Sequence, residues 1–231
     1  MPQTNTDIAR PVGQARARSI DLVVIHCAAT PSGKPLRQGT PGTPGYLNAP
    51  RVINAWHVAR GFRRQPEAVR AFSSSLPSIG YHFIIDLTGE VWSGRALTEV
   101  GAHAAGFNAH SVGICLVGGI EREARYTAAQ WQSLQQVVTM LLVDYGIPNA
   151  APKRVPDKTH PMGYQMFGGV CGHRDLSPDG DGDGLVEPFE WTKTCPGFDV
   201  RAWLARGMRP LPEQVCEIAQ TGNLDKVGGT A

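Results

Sequence analysis

Residues 20–26, Ile-Asp-Leu-Val-Val-Ile-His, decide how this chain is read. The run is short, apolar and rich in β-branched residues, which predicts a buried strand, and it ends on a histidine. A polar Cys-Ala-Ala-Thr turn follows at 27–30. Working outward, Val112–Val117 (VGICLV) is a second buried strand. Residues 81–95 spell a hairpin: YHFIID, the turn LTGE, then VWSGR. A helix is expected at 51–60, with Val52, Ile53 and Trp56 sharing a face. The clearest helix is 127–146. Thr127 caps it, Gln130 completes a capping box, and Trp131, Leu134, Val138, Leu141 and Leu142 form its apolar stripe. Gly146 and Pro148 end it. An extended piece precedes His173, and a last helix spans 198–206 with Trp203 and Leu204 facing inward. Residues 31–50, 61–78 and 149–169 read as long irregular segments, and one helical turn is expected near 212–220. Strands and helices therefore mix around one sheet, an α/β or α+β domain.

The 231 residues are 42% hydrophobic and 18% charged, enough for one good core and against a disordered chain, a fibre or a coiled coil. The 27 glycines and 18 prolines, about a fifth of the chain, suit a site built on loops. No run of about 18 apolar residues predicts a membrane span. The first nineteen residues lack the apolar stretch of a signal peptide, so synthesis in the cytoplasm is expected. Five dispersed cysteines point to thiols or metal ligands rather than a disulfide framework. The net charge of +2 is uneven: residues 1–80 carry +7 and the remainder −5. The basic part would suit an anionic partner, or simply solvate loops. No nucleic-acid module accompanies it, so no specific nucleic-acid partner is expected.

Seven histidines stand at 26, 57, 82, 103, 110, 160 and 173. A hydrolytic zinc site needs about three protein ligands and one open position. His26 ends a strand, His173 lies in Cys-Gly-His-Arg-Asp, and Cys195 lies in Lys-Thr-Cys-Pro-Gly before a helix. A helix N-terminus at Cys195 would favour the thiolate. The trio is neither HExxH nor paired CxxC. Spacing alone leaves open a core histidine, a surface histidine and a buried thiol.

Residues 179–190, DGDGDGLVEPFE, match a twelve-residue calcium loop. Asp179, Asp181 and Asp183 take positions 1, 3 and 5, and Gly184 takes position 6. Leu185 offers its carbonyl at 7, Glu187 stands at 9 and Glu190 at 12. A Ca2+ ion here would be structural. The other reading is an acidic surface loop, since flanking helices are not evident.

Four segments resemble the zinc-dependent N-acetylmuramoyl-L-alanine amidases of the phage-lysozyme and peptidoglycan-recognition-protein family. They are VVIHCAAT (23–30), GYHFIIDLTGEVWSGR (80–95), GAHAAGFNAHSVGICLVGG (101–119), and CGHRDLSP with KTCPGFDV (171–178 and 193–200). The resemblance covers nearly all of residues 21–206 and implies a central mixed β-sheet flanked by helices, with a groove over a Zn2+ ion. It implies His26, His173 and Cys195 as the zinc ligands, and Tyr81 and Lys193 as the catalytic pair. Residues 1–20 and 207–231 fall outside it as tails, the first flexible. The implied substrate is bacterial peptidoglycan, cut at the amide between N-acetylmuramic acid and L-alanine by a monomeric endolysin reaching the wall after release. The alternative is a peptidoglycan-binding module without catalysis, which a missing zinc ligand would favour; none is missing.

Zinc chemistry would supply hydroxide near neutral pH. Tyr81 would orient the water or take its proton, and Lys193 would reach the developing oxyanion. His103 and Asn108 are expected to contact substrate, Asn108 alternatively capping a turn. His82 follows Tyr81, so strand alternation turns it to the other face as a structural residue. His57, His110 and His160 read as ordinary, and Cys27, Cys115 and Cys171 as small core residues. Residues 31–50, 61–78 and the acidic insertion are longer than the shortest members need, which bears on groove shape and substrate preference.

Overall fold

The computed structural model describes residues 18–183 and 186–219. Its centre is a five-stranded sheet. Strand β1 (Leu22–Cys27) lies between β4 (Ser111–Leu116) and β7 (Gly169–Gly172), parallel to both. Beyond β4 come β2 (Phe83–Ile85), parallel to β4, and then β3 (Val91–Ser93), antiparallel to β2 at the edge. The strand order is β3-β2-β4-β1-β7, a mixed sheet. β1 is buried along its whole length, which explains its unbroken apolar run.

One face carries Val23, Ile25, Ile114 and Leu116 and packs on α3 (Ala128–Tyr145) and α4 (Val200–Ala205) through Trp131, Leu134, Leu141 and Trp203. Two smaller clusters cover the other face. Leu22, Val24, Phe107 and Tyr164 form one. Ile84, Cys115 and Ile79 form the other, beneath Ala49 and Ile53 of α1 (Ala49–Ala59). His26 belongs to this second face, by alternation from Leu22 and Val24.

The capping box of α3 forms as expected. Gln130 also ties α3 to the sheet. Fully buried, its amide donates to the carbonyls of Val117 (2.8 Å), just past β4, and Ile85 (3.3 Å) of β2. Gln130→Ala removes a cap partner and the side-chain donor to the buried Val117 carbonyl, while the Ile85 carbonyl keeps the Val117 N–H (3.0 Å), so a loss of roughly 2–4 kcal/mol is expected, read from the urea midpoint.

Two expectations are corrected. Residues 149–169 are not one loop: β5 (Lys153–Pro156) and β6 (Tyr164–Phe167) form an antiparallel hairpin, with Tyr164 and Met166 buried beneath it. Strands of four residues broken by Pro156, Pro161 and Gly163 carry too little periodicity to show in sequence. Residues 61–78 contain α2 (Pro66–Ala71), started by a proline at its first position. That segment is fixed by Arg64, whose side chain is buried and pairs with Glu99 at 2.9 Å.

Contacts continue past 206. A 3₁₀ turn at Pro212–Gln214 falls where one helical turn was expected, and Cys216 N–H donates to the Tyr126 carbonyl (3.1 Å). At the other end, Arg18 donates to the carbonyls of Leu97 (2.9 Å) and Ser111 (3.0 Å). Among the described residues no helix is long and apolar enough to cross a membrane.

Candidate metal centre and cleft

Three segments converge at the C-terminal ends of β1 and β7. His26 is carried by β1, and His173 opens the 3₁₀ turn His173–Leu176 directly after β7. Cys195 arrives from the far end of the acidic insertion. Its carbonyl accepts from Arg174 N–H at 2.8 Å, and its Sγ accepts from Cys27 N–H at 3.1 Å. One ligand atom each from His26, His173 and Cys195 lies within 4.8 Å of the others. The two imidazole rings are 4.5 Å apart.

Burial holds both histidines neutral. His26 is pushed far below the ordinary histidine value by burial, then by His173 and His103. His173 falls to about 4, from burial and the Lys193 ammonium. Neutral imidazoles keep the lone pair a cation needs. The sequence rationale for Cys195 is corrected here: α4 begins only at Val200, capped by Asp199, so no helix start faces the thiol. The thiol is instead pushed up by its hydrogen bond with the Cys27 thiol, and then by burial. Cys27 is therefore more than filler.

Tyr81, just ahead of β2, packs its ring 5.2 Å from that of His26. Burial pushes its phenol well above the usual value, so it stands as an O–H donor. His103 lies against the trio, its Nδ1 3.0 Å from His26 Nε2. Gly113 makes the room: a Cβ there would sit 2.5 Å from His103 Cγ. Asn108 accepts the N–H groups of His103 and Ala104, both at 2.9 Å, and so shapes that loop. His103, Asn108, His173 and Lys193 together line a cleft of ≈ 390 Å³. Phe62, Met162 and Thr192 are also on its walls, and no motif marked them. The His103–His26 contact also escaped the sequence, because it joins residues 77 apart.

His82 is buried beneath the sheet loop, its Nδ1 accepting Gly113 N–H at 3.0 Å. His57 accepts Gly80 N–H at 2.9 Å and stacks on Phe62. His110 pairs with Asp21 at 2.6 Å.

In the acidic insertion, carboxylates of Asp179, Asp181 and Glu190 converge within 4.8 Å, as do those of Asp181, Asp183 and Glu187. Leu185, with Gly184, lies outside the described residues. The insertion is closed at its base by Thr192 N–H donating to Ser177 Oγ at 3.1 Å.

The N-acetylmuramoyl-L-alanine amidase family pattern matches residues 16–198. An uncharacterized protein of Haemophilus influenzae is 44% identical over 122 residues, 51% of this chain and 88% of that protein. The endolysin of Escherichia phage T7 is 30% identical over 80% of this chain and 85% of its own length. The solved N-acetylmuramoyl-L-alanine amidase LysC from Clostridium intestinale shares the fold at a TM-score of 0.50 and 21% identity, over 84% of this chain and 88% of that one. With the family pattern spanning most of its length, the chain belongs to the N-acetylmuramoyl-L-alanine amidase family and is an amide-hydrolysing enzyme.

Proposed function

We propose that the chain cuts the amide between N-acetylmuramic acid and L-alanine in bacterial peptidoglycan, with a Zn2+ ion held by His26, His173 and Cys195. The observation that carries this reading is the convergence of those three donors, with His173 also lining the cleft, in a chain of this family. Two neutral imidazoles and a thiolate form a fitting donor set for zinc, and three protein ligands leave one position for chemistry. When bound, the ion supplies Lewis acidity: a nucleophilic water at neutral pH and a polarised carbonyl. His26 Nε2 faces His103, which fixes the ring and leaves Nδ1 for the ion.

The remaining work falls to the chain's own groups. Tyr81, neutral and beside His26, donates its O–H to the attacking water or the carbonyl oxygen. Lys193 sits on the cleft wall, two residues from Cys195, and its ammonium stabilises the oxyanion as it forms. His103 and Asn108 border the bound muramyl peptide. Likeness to the T7 endolysin supports a lysin made in the cytoplasm and acting on the wall after release. The unit that acts is the domain of residues 21–206.

The deciding experiment measures free L-alanine amino termini released from purified peptidoglycan. Release by the zinc-loaded protein is expected. Zinc bound without release would replace the amidase with a binding module.

The insertion 179–190 is read as a structural calcium loop, on its complete donor pattern and its converging carboxylates. Ca2+ should raise the thermal midpoint of the zinc-loaded protein and leave an Asp181→Ala, Asp183→Ala double variant nearly unmoved. Equal responses would return the segment to a solvated acidic loop.

A further inference from the structure

A second cleft, of ≈ 280 Å³, opens on the same face of the sheet at its β3 edge. Its floor includes the indole of Trp92, and its rim includes Tyr46, Arg51, Ser73 and Ser75. The position is fixed by the strand register. Trp92 pairs with Ile84, Ile84 with Cys115, and Cys115 with His26. These four residues form one row across the sheet, and paired residues share a face. Three strand spacings separate Trp92 from His26, about 14 Å. Two sites on one face at that separation lie within the span of one polymeric ligand.

The walls come from the two segments that the sequence marks as long. Residues 31–50 supply Tyr46, held by the reciprocal Gln38–Leu47 backbone pair at 3.0 and 2.9 Å. Residues 61–78 supply Ser73 and Ser75, and Ser73 Oγ donates to the Ser93 carbonyl on β3 at 3.0 Å. Asn48 caps α1 and so sets Arg51 at the rim. The Tyr46 hydroxyl, the Arg51 guanidinium and the Ser75 hydroxyl make no hydrogen bond to other described residues.

The chemistry of this lining selects its ligand. An aromatic face takes the apolar face of a ring, and hydroxyl and guanidinium heads take its hydroxyls and amide carbonyls. No carboxylate lines the cleft, so nothing there draws a cationic group. Resting on the amidase reading above, we propose that this cleft is a second subsite of the enzyme that binds an N-acetylated sugar of the same glycan strand, away from the bond being cut. The long segments 31–50 and 61–78 then favour polymeric peptidoglycan over small muramyl peptides.

The test uses the full zinc-loaded chain and two substrates, solubilised peptide-bearing glycan strands and a muramyl tripeptide with no neighbouring sugars. A Tyr46→Phe, Arg51→Ala variant removes the Tyr46 hydroxyl and the Arg51 side chain beyond Cβ, both from the cleft lining. It should raise KM on the strands about ten-fold, with kcat unchanged, and leave the muramyl tripeptide unaffected. As a readout independent of turnover, tetra-N-acetylchitotetraose should shift the indole N–H resonance that Trp92→Phe removes. Unchanged KM on the strands, an equal rise on both substrates, or a resonance that answers a stem peptide but not the sugar would overturn the proposal. If the wild type cuts neither substrate, the amidase reading itself fails. The chitotetraose shift still decides the sugar subsite in that case.

Discussion

Cys195→Ala is expected to purify with little or no zinc and with turnover at background, whereas the wild type carries about one zinc per chain. The thiol is one of three donors that converge there among the described residues, and none of the cysteines is tied up in a disulfide. Two histidines alone leave the ion short of the ligands a catalytic site keeps. Cys27→Ala is the informative control. It removes the neighbouring thiol but keeps the backbone N–H that donates to Cys195 Sγ at 3.1 Å, so zinc should be retained. Elemental analysis of the dialysed variants decides between them. Zinc held equally by Cys195→Ala and the wild type would take Cys195 out of the site. A chelator should also lower the thermal midpoint of the wild type and barely move that of Cys195→Ala, since an ion bound only by the native state stabilises it by mass action.

Lys193→Ala and Tyr81→Phe should keep the fold and the zinc yet each lose turnover on the order of 10²-fold or more. In the roles proposed for them, both groups act on charge that develops only in the transition state, so kcat should fall while KM moves little. The structure separates the two residues. Lys193 lines the open cleft, so its loss leaves the packing intact. Tyr81 packs against the buried cluster that contains Ile79, Ile84 and Cys115 as well as beside His26, which is why the change to phenylalanine rather than alanine is the fair test. Circular dichroism and zinc content hold fold and metal constant, and released L-alanine termini give the rate. Near-wild-type turnover in either variant would strip that residue of its role.

Much of this protein is legible in the order of its residues. The strand at 20–26, the hairpin at 81–95 and the capped helix at 127–146 each have one strong periodicity and a clear terminator. Local chemistry alone specifies them, and the fold class follows. His26 and His173 stand out because a polar ring at the end of an apolar strand, or directly after it, is placed at a sheet end by the strand itself. Other features were decided only in three dimensions. The β5–β6 hairpin has strands of four residues, and its stability comes from burying Tyr164 and Met166 against β1 and Phe107. Local sequence holds no record of that partner. The surroundings of Cys195 are illegible along the chain for the same reason. Its nearest polar influence is not the helix five residues later but Cys27, 168 positions away in sequence, brought beside it by β1. The contact of His103 with His26, and the row from Trp92 to His26, depend on which strands lie side by side. Strand order β3-β2-β4-β1-β7 is set by how two apolar faces are covered at once. The sequence by itself determined the elements and the kinds of side chain that carry the chemistry. Only the tertiary structure decided which of them meet, because burial and pairing are properties of neighbours remote along the chain.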